Sequence, residues 1–310
     1  MAEFTDFYYK SGTGLNTIHA RKCVPDGEIK AIVQVVHGIA EHIDRYEEFM
    51  RVLADNGYLA VGEDHLGHGK TITNPLEKGI FAFENGWQHV LEDLDTLHDM
   101  MHEQYPDVPY VFFGHSMGSF LTRNYIIDHP DKCDAAIISG TGQQAKAMVL
   151  GGYAISQFLV KKNGADGDGQ LLNNIAFGSY CDKIENKRTE FDWLSRDNEQ
   201  VDKYIADPLC GFVCKVSLYR DMMGGIKYVS DSKNLQKMNK KMPVYFMSGQ
   251  ADPVGEYGKG VEKSYKAFCG AGMEDVFMRL YPDARHEMLN ELNRAEVHQN
   301  ILRWLGEKVK

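Results

Sequence analysis

The chain has 310 residues, of which 43% are hydrophobic and 25% charged, and these proportions exclude disordered and fibrous classes of protein. Its formal net charge of −10 repels phosphate backbones and anionic lipid surfaces, so we expect no nucleic-acid partner. Uncharged or modestly charged small substrates fit this charge better. The length allows one large domain or two medium ones.

The cysteines and the apolar segments together indicate a compartment. Residues 1–14 contain no basic region followed by an apolar stretch, and no other window has the uninterrupted apolar length that spans a bilayer. The six cysteines include no Cys-x-x-Cys pair, which favours reduced thiols over disulfides or a zinc site. Cys210 and Cys214 are spaced to share a helix face, but core or surface thiols explain them more simply. We expect a cytoplasmic protein.

Strand-like and helix-like segments alternate through the first part of the chain. Two short strand-like segments flank the turn sequence Ser-Gly-Thr-Gly and predict a leading hairpin. Later apolar, β-branched runs predict buried strands, and segments of helical periodicity lie between them. The predicted strands are 4–10, 16–24, 31–36, 58–62, 110–113 and 133–138, and the predicted helices are 44–56, 84–104 and 120–129, with Asp44 as the first helix's N-cap. Parallel neighbours need crossover helices, so this alternation predicts an α/β fold with a mostly parallel central sheet.

The pattern changes after residue 142. Residues 143–238 show helical patterns without a convincing central strand, which predicts a helical cap inserted between two core segments, 1–142 and 239–310. The first cap segment, 145–160, is apolar on most faces and fits either a helix over an acyl-binding cavity or plain packing on the sheet. The predicted strands of the last segment are 243–247 and 276–281, and its predicted helices are 256–269 and 295–308.

One strand end carries a pattern typical of a nucleophilic serine. In Gly114-His115-Ser116-Met117-Gly118, a strained strand-to-helix turn would lift the Ser116 hydroxyl above the sheet. Such a turn needs neighbours without side chains, which Gly114 and Gly118 provide. The preceding apolar run and the following helix-compatible segment are the context that this pattern requires.

Two loops after later strands supply the remaining members of a catalytic triad. A serine hydroxyl needs a base to take its proton, and that base needs an acid to fix its tautomer. His286 and Asp252 are the best candidates, because both follow predicted strands and the order Ser, Asp, His suits an α/β-hydrolase. Asp283 and Glu256 are rival acids.

The negative oxygen that develops on an ester carbonyl needs preorganised donors. The main-chain N–H of Met117, directly after the nucleophile, is one candidate donor. The second is expected in the loop after the first central strand, where the N–H of Ile39 is our choice. Together these two amides would form an oxyanion hole.

Other acidic and histidine-rich segments invite a metal interpretation. Asp64, His65 and His68 lie in one loop, and His98 and His102 are four residues apart on a predicted helix. None of these sets reproduces a known ligand spacing, and a serine triad needs no metal. Segment 163–169 lacks the remaining ligands of a calcium loop. We predict neither a metal nor a cofactor.

Several separated stretches carry a resemblance to a known family. They are His37-Gly38-Ile39-Ala40-Glu41-His42-Ile43-Asp44-Arg45-Tyr46, Asp64-His65-Leu66-Gly67-His68-Gly69, Gly114-His115-Ser116-Met117-Gly118, Asp252 and His286. Together they resemble the monoacylglycerol lipase and lysophospholipase branch of the α/β-hydrolases, of serine aminopeptidase type. The resemblance runs from about residue 29 to the C-terminus and is weakest through the cap, where 194–196 and 201–209 also look like that family. It implies an α/β-hydrolase fold and a serine mechanism.

The resemblance also implies residues that bind substrate. Glu41, Arg45 and Tyr204 match positions that line the pocket for the glycerol headgroup in monoacylglycerol lipases. A simpler interpretation is that Glu41 and Arg45, four residues apart near a helix start, pair with each other. Ala40 stands where the family usually has glycine, which bears on the backbone shape of the oxyanion loop. Ile39 stands where a smaller residue is common, so the cavity is expected to narrow while the main-chain donor is kept.

These features predict a serine carboxylic-ester hydrolase that cleaves monoacylglycerol-like lipid esters through an acyl-enzyme on Ser116. A short-chain or hydroxycinnamoyl (feruloyl-type) esterase and a lysophospholipase are alternatives, and amide hydrolysis or acyl transfer would use the same groups. The complete triad argues against a binding protein that retains the fold without turnover. The expected partner is a small-molecule ester, with at most transient membrane-surface contact through the cap and a homo-oligomer left open.

Overall fold

An eight-stranded sheet runs through the computed structural model, which describes residues 3–309. Its strands are β1 (Phe4–Lys10), β2 (Thr17–Cys23), β3 (Ala31–Val36), β4 (Tyr58–Glu63), β5 (Tyr110–His115), β6 (Ala135–Ser139), β7 (Val244–Gly249) and β8 (Val276–Tyr281). Their order is β1-β2-β4-β3-β5-β6-β7-β8. β1 pairs with β2 and β2 with β4 in antiparallel fashion, and every pair from β4 to β8 is parallel. The predicted hairpin and mostly parallel sheet are therefore confirmed.

The central strands are apolar on both sides because helices cover both faces of the sheet. Every residue of β3, β4, β5, β6 and β7 is buried. On β5, Tyr110 and Phe112 contribute to one hydrophobic cluster, and Val111 and Phe113 contribute to the cluster on the other face. This alternation follows from the two-residue repeat of a strand, and it explains the continuous apolar runs in the sequence.

The helices are α1 (Glu47–Asp55), α2 (Gly86–Gln104), α3 (Met117–Asp128), α4 (Lys146–Asn163), α5 (Gln170–Phe177), α6 (Asn198–Ala206), α7 (Val216–Val229), α8 (Ser232–Leu235), α9 (Lys259–Gly270) and α10 (Arg294–Lys308). Six of the helices in the described chain lie close to predicted helical segments, and no separate bounds were predicted for the four that follow α4 in the part of the chain before β7. Within residues 3–309, no helix combines the length and the apolar character needed to cross a bilayer.

The predicted N-cap of the first helix is wrong. Residues 43–46 form a short 3-10 turn, and α1 begins only after it with no side-chain cap. The Asp44 carboxylate instead lies 2.8 Å from Arg21 Nη1 and 2.8 Å from Lys70 Nζ. Asp44 therefore forms salt bridges with Arg21 and Lys70 instead of capping the helix.

Five helices, α4 to α8, lie between β6 and β7, and this part of the described chain adds no strand to the sheet. We call residues 143–238 the helical segment; its separation from the core as a domain stays a prediction. α7 packs against α2 and α3, whereas α4 packs mainly against α7. On α4, Met148 and Phe158 are 67% and 63% exposed. Segment 145–160 was expected either to cover an acyl-binding cavity or to pack on the sheet. α4 instead packs mainly on α7, and none of its residues lines the cavity described below.

Candidate active site

Ser116 occupies the sharp turn between β5 and α3. Its backbone φ of 54° and ψ of −121° lie in a region that costs a non-glycine residue about 1–3 kcal/mol. A Cβ on Gly118 would collide with the carbonyl oxygens of Val36 and His37, so only glycine lets this turn approach β3. The Ser116 amide donates to the Ser139 carbonyl over 3.0 Å, which fixes the turn against β6. The Gly-x-Ser-x-Gly spacing thus has the steric reason that the sequence suggests.

His286 and Asp252 meet as a buried pair. Nδ1 of His286 lies 3.0 Å from Oδ2 of Asp252, and both side chains are shielded from solvent. The carboxylate also accepts hydrogen bonds from the Ser248 hydroxyl and the Val254 amide, each over 2.9 Å. These donors fix the carboxylate, and the carboxylate in turn orients the imidazole with Nε2 directed away from it.

The pair perturbs both pKa values. Burial alone would raise the pKa of Asp252, but His286 and the donors Ser248 and Val254 outweigh it, so this pKa is lowered. Burial alone would lower the pKa of His286, but the charge and hydrogen bond of Asp252 outweigh it, so this pKa is raised. The site therefore keeps Asp252 ionised and stabilises the protonated form of His286, which is the form that a general base becomes.

Ser116 and His286 line the same cavity but form no hydrogen bond with each other. Nε2 of His286 is buried and has no hydrogen-bond partner within residues 3–309. In ligand-free enzymes the bond between nucleophile and base is often long and tightens when substrate binds. The structure thus brings His286 and Asp252 into contact and places Ser116 beside them, with the last contact of the predicted triad still open.

The rival acids lie elsewhere. Asp283 is exposed and follows the end of β8 without contacting His286. Glu256 forms a 2.6 Å salt bridge with Lys263. It also precedes α9 instead of beginning it. Among the three candidate acids, Asp252 alone contacts the imidazole.

Three groups around His286 were not found by sequence reasoning. The ring centroid of Trp193 lies 5.1 Å from that of His286, and the ring of His115 lies 4.6 Å away. Burial and then His286 lower the pKa of His115 to about 4, so this second imidazole stays neutral near pH 7. Gly140 has a φ of 59°, and a Cβ there would lie 2.8 Å from Cε1 of His286. In the sequence, Gly140 lies just before residue 142, where the alternation of strands and helices ends, and no local pattern indicates its position beside His286.

The predicted oxyanion loop lies next to the nucleophile. A Cβ on Gly38 would be 3.0 Å from Cβ of Ser116, so the loop after β3 passes directly beside the serine. The Gly38 amide donates to Oε1 of Glu41 over 2.6 Å, and this bond holds the loop. Within residues 3–309, the amides of Ile39 and Met117 donate to no other part of the chain. Their role as oxyanion donors stays a prediction.

Ala40 adopts the conformation that its family-typical glycine would favour. Its φ is 52°, in the left-handed region that costs an alanine about 1–2 kcal/mol. Contacts on both sides hold it there: the Ala40 carbonyl accepts from the Gly211 amide over 3.0 Å and from the Tyr204 hydroxyl over 3.1 Å. Alanine at this position therefore adds backbone strain to the loop, but the left-handed turn is kept.

The residues expected to bind a headgroup are bound to one another. Nη1 of Arg45 lies 2.5 Å from Glu41 and 2.7 Å from Glu287, and Nη2 lies 2.8 Å from the second oxygen of Glu287. The guanidinium carbon lies 4.7 Å from the ring centroid of Tyr204. Burial would raise the pKa of Glu287, but Arg45 outweighs it and lowers this pKa to about 2. The pairing of Glu41 with Arg45 is thus observed, and Glu287 is a partner that the sequence did not indicate.

The comparisons with known proteins agree with this geometry. A family model described as serine aminopeptidase, S33, matches residues 27–293. The chain belongs to this family. As an S33 chain it is a serine hydrolase, and the predicted α/β-hydrolase fold is confirmed.

Relatives of this S33 chain include lipases and an esterase. It is 26% identical to the monoglyceride lipase of Mus musculus over 92% of this chain and 85% of the relative, and 26% identical to the monoacylglycerol lipase of Mycolicibacterium smegmatis over 91% and 90%. A solved structure of a highly thermostable carboxyl esterase from Bacillus coagulans, in complex with glycerol, superposes with a TM-score of 0.92 and 30% identity, covering all of both chains.

The cavity of this S33 chain has a volume of about 270 Å³ and is bounded by both parts of the fold. The core contributes Ile39, Ser116 and His286, and the helical segment contributes aromatic and amide side chains. Glu41 and Tyr204 also line it, whereas Asp252, Arg45 and Met117 do not. The helical segment is fixed to the catalytic loop, because the Glu287 amide donates to the Leu194 carbonyl over 2.7 Å.

The side chains of Asp64, His65 and His68, which we considered as metal ligands, make hydrogen bonds within the fold. His65 and His68 are buried and contact backbone carbonyls, and the Asp64 carboxylate accepts from the amides of Ile43 and Lys70.

Within residues 3–309, two other groups of three side chains have ligand atoms within 4.8 Å of one another: His42, Asp207 and Cys210, and Asp95, His98 and Asp99. His42 and Asp207 share a 2.9 Å hydrogen bond. Lys132 already binds Asp95 and Asp99 over 2.7 and 2.8 Å.

Proposed function

We propose that this chain hydrolyses monoacylglycerol-like carboxylic esters through an acyl-enzyme on Ser116. The observation that carries the proposal is the buried 3.0 Å contact between His286 and Asp252 beside the cavity that Ser116 also lines. The lipase relatives and the esterase that was solved with glycerol support the substrate class.

The proposed reaction has two steps with balanced proton transfers. The Ser116 oxygen attacks the ester carbonyl while Nε2 of His286 takes the hydroxyl proton, and the amides of Ile39 and Met117 receive the negative oxygen. The resulting imidazolium, stabilised by Asp252, gives its proton to the departing alcohol oxygen as the C–O bond breaks. A water molecule then attacks the acyl carbonyl while His286 takes a proton from it. The imidazolium returns this proton to the Ser116 oxygen as the bond between that oxygen and the acyl carbon breaks and the carboxylic acid leaves.

A fluorophosphonate probe tests the nucleophile directly. It is expected to label the wild-type chain and to leave Ser116→Ala unlabelled, because only an activated serine attacks phosphorus at a useful rate. Ser119→Ala is a matched control on the next helical turn, since the Ser119 hydroxyl donates to the Ser116 carbonyl and has no proposed chemical role. Labelling that persists in Ser116→Ala would contradict the proposal.

A second candidate is an esterase for short-chain or hydroxycinnamoyl esters. The cavity volume of about 270 Å³ favours it, because this space is below the 300–1,000 Å³ range of most ligand sites. Rates on p-nitrophenyl esters of increasing chain length separate the two: a maximum at acetate or butyrate supports the second candidate, and a maximum at octanoate or longer supports the first.

We also propose a cytoplasmic location. All six cysteines are free, and five of them are buried. Free thiols persist most readily in a reducing compartment. Fractionation of cells that express the chain with a reporter tests this, and recovery in a secreted fraction would contradict it.

A further inference from the structure

Three side chains of metal-ligating type meet outside the cavity, where the core and the helical segment contact each other. They are His42 of the core and Asp207 and Cys210 of the helical segment, with ligand atoms within 4.8 Å of one another. None of the three lines the cavity. Sequence reasoning, which predicted no metal, did not weigh them together because His42 and Asp207 are 165 positions apart.

The Cys210 thiol has no hydrogen-bond partner within residues 3–309, although the residue is only 8% exposed. The buried sulfurs of Cys133 and Cys181, by contrast, donate to main-chain carbonyls. Of the five buried cysteines in the described chain, Cys210 is the one whose sulfur lies in such a group of ligand atoms. A buried thiol that faces an imidazole and a carboxylate is therefore free to bind a metal.

His42 and Asp207 are already positioned as ligands. Nε2 of His42 lies 2.9 Å from Oδ2 of Asp207, and the other Asp207 oxygen accepts from the Leu209 amide over 2.8 Å, which orients the carboxylate. Burial would raise the pKa of Asp207, but the Leu209 amide and His42 outweigh it, so this pKa is lowered and the carboxylate is ionised near pH 7.

This set of donor atoms matches the preferences of zinc. A structural zinc ion takes imidazole nitrogen, carboxylate oxygen and thiolate sulfur in a tetrahedron, with bonds of about 2.0–2.3 Å that place neighbouring ligand atoms about 3.3–3.6 Å apart. The imidazole and carboxylate would thus separate by only about half an ångström to admit the ion. The Asp207 side chain is 32% exposed, so an ion can enter from that side and a water molecule can complete the four ligands.

The surrounding charges favour a cation. The charged groups that act on the Cys210 thiol are Arg45, Glu41, Asp207 and Glu287, so three carboxylates oppose one guanidinium. Burial raises the pKa of this thiol, and Arg45 offsets only part of that effect. The thiol is therefore protonated near pH 7, and a metal ion has to displace its proton.

The group formed by Asp95, His98 and Asp99 is a weaker candidate. Lys132 lies 2.7 Å from Asp95 and 2.8 Å from Asp99, so a cation already neutralises both carboxylates. The group also offers no sulfur ligand. It serves below as a control.

We propose that His42, Asp207 and Cys210 form a binding site for a divalent cation of the zinc class, which joins the helical segment to the core. As the bond between sulfur and metal forms, the thiol proton leaves to solvent, and the neutral His42 ring carries its proton on Nδ1 so that Nε2 binds the ion. The site lies next to an existing contact between the two regions, in which the Gly211 amide donates to the Ala40 carbonyl over 3.0 Å. This inference does not depend on the proposed function.

Calorimetric titration of the whole chain with Zn²⁺, with its thiols kept reduced, tests the site. We expect one strong site per chain, whose affinity rises with pH because a thiol proton is displaced. Cys210→Ser and Asp207→Asn are each expected to weaken binding by at least about 100-fold, because loss of a partner outside the ligand set already costs about 10–100-fold. Saturating Zn²⁺ should raise the Tm of the wild type and leave that of Cys210→Ser unchanged.

Titration with Cd²⁺ identifies the sulfur ligand directly. Binding to the wild type is expected to produce an ultraviolet charge-transfer band from thiolate to metal, and this band should be absent in Cys210→Ser. Asp207→Asn keeps an oxygen that can accept from the Leu209 amide, so it tests the site even if Cys210→Ser does not fold.

Three control variants should bind Zn²⁺ as the wild type does. They are Cys269→Ser, which removes the exposed thiol, His98→Gln in the second group, and His286→Ala at the catalytic base. Absence of a strong site, wild-type affinity in Cys210→Ser or Asp207→Asn, or an equal loss of affinity in any of the three controls would overturn the proposal. The proposed function is tested separately, by labelling of Ser116.

Discussion

The strand ends of the core and the helical segment line the same cavity, but they differ in how firmly their side chains are buried and hydrogen-bonded. Asp252 and His286 are buried and fixed by several hydrogen bonds, and Ser116 lies in a backbone conformation that its neighbours enforce. On the helical segment, Leu171 and Met148 are exposed, and the amides nearest the cavity keep unused hydrogen-bonding groups. From this difference we infer a division of roles: the core carries the chemical step, which needs rigid geometry, and the helical segment selects the ester.

The largest expected effect tests the core. Asp252→Asn should lower kcat by about 10⁴-fold, because the amide no longer stabilises the imidazolium or selects its tautomer. The loss should be equal for glycerol mono-octanoate and propyl octanoate, since Asp252 does not line the cavity. Steady-state kinetics on both esters measure it. A change in their ratio would show that the two regions do not divide chemistry and selectivity as we describe.

The pH profile of the same variant gives a second test. His286 must be neutral to act as a base, and Asp252 raises its pKa, so wild-type kcat/KM should fall on the acid side of a midpoint above the ordinary histidine value of about 6.5. In Asp252→Asn the midpoint should move to lower pH, because the charge that favours the imidazolium is gone. Profiles measured on one ester in matched ionic strength decide this, and a midpoint that moves upward would contradict the assignment.

An intermediate effect is expected at Gly140. Gly140→Ala should lower kcat by about 10²-fold, because the new Cβ would lie 2.8 Å from Cε1 of His286 and would displace the ring. Its φ of 59° adds backbone strain. Gly151→Ala on α4 is a control, since a Cβ there meets no atom within 4 Å. Equal kinetics for Gly140→Ala and wild type would mean that the imidazole has room to move in this part of the site.

A smaller effect is expected at Glu41, which joins the loop after β3 to the buried Arg45. Glu41→Gln should lower kcat by about 10-fold with little change in KM, because a neutral amide holds the Gly38 amide and the adjacent oxyanion loop less firmly. If Glu41 bound the headgroup, KM for the glycerol ester would rise instead while propyl octanoate was unaffected. The two esters therefore separate a positioning role from a binding role.

Local sequence predicted the core better than it predicted the helical segment, for physical reasons. The strands were readable because they are buried on both faces and continuously apolar, and Ser116, Asp252 and His286 were readable because each follows such a strand. The pairing of Arg45 with Glu287 spans 242 positions, and no local pattern records it. Likewise, helical spacing places Gln170, Asn173 and Asn174 on one side of α5, but only tertiary packing determines that these side chains line the cavity.

The smallest expected effect concerns Ala40, where the helical segment contacts the oxyanion loop. Ala40 is held in a left-handed conformation by contacts with Tyr204 and Gly211 of the helical segment. Ala40→Gly should relieve strain but give the unfolded chain more freedom, so the free energy of unfolding should change by no more than about 1 kcal/mol. Chemical denaturation measures this change, and kcat should stay within about two-fold because the same turn remains accessible. A large fall in kcat with unchanged stability would show that the alanine, through its strain, contributes to the donor geometry of the Ile39 amide.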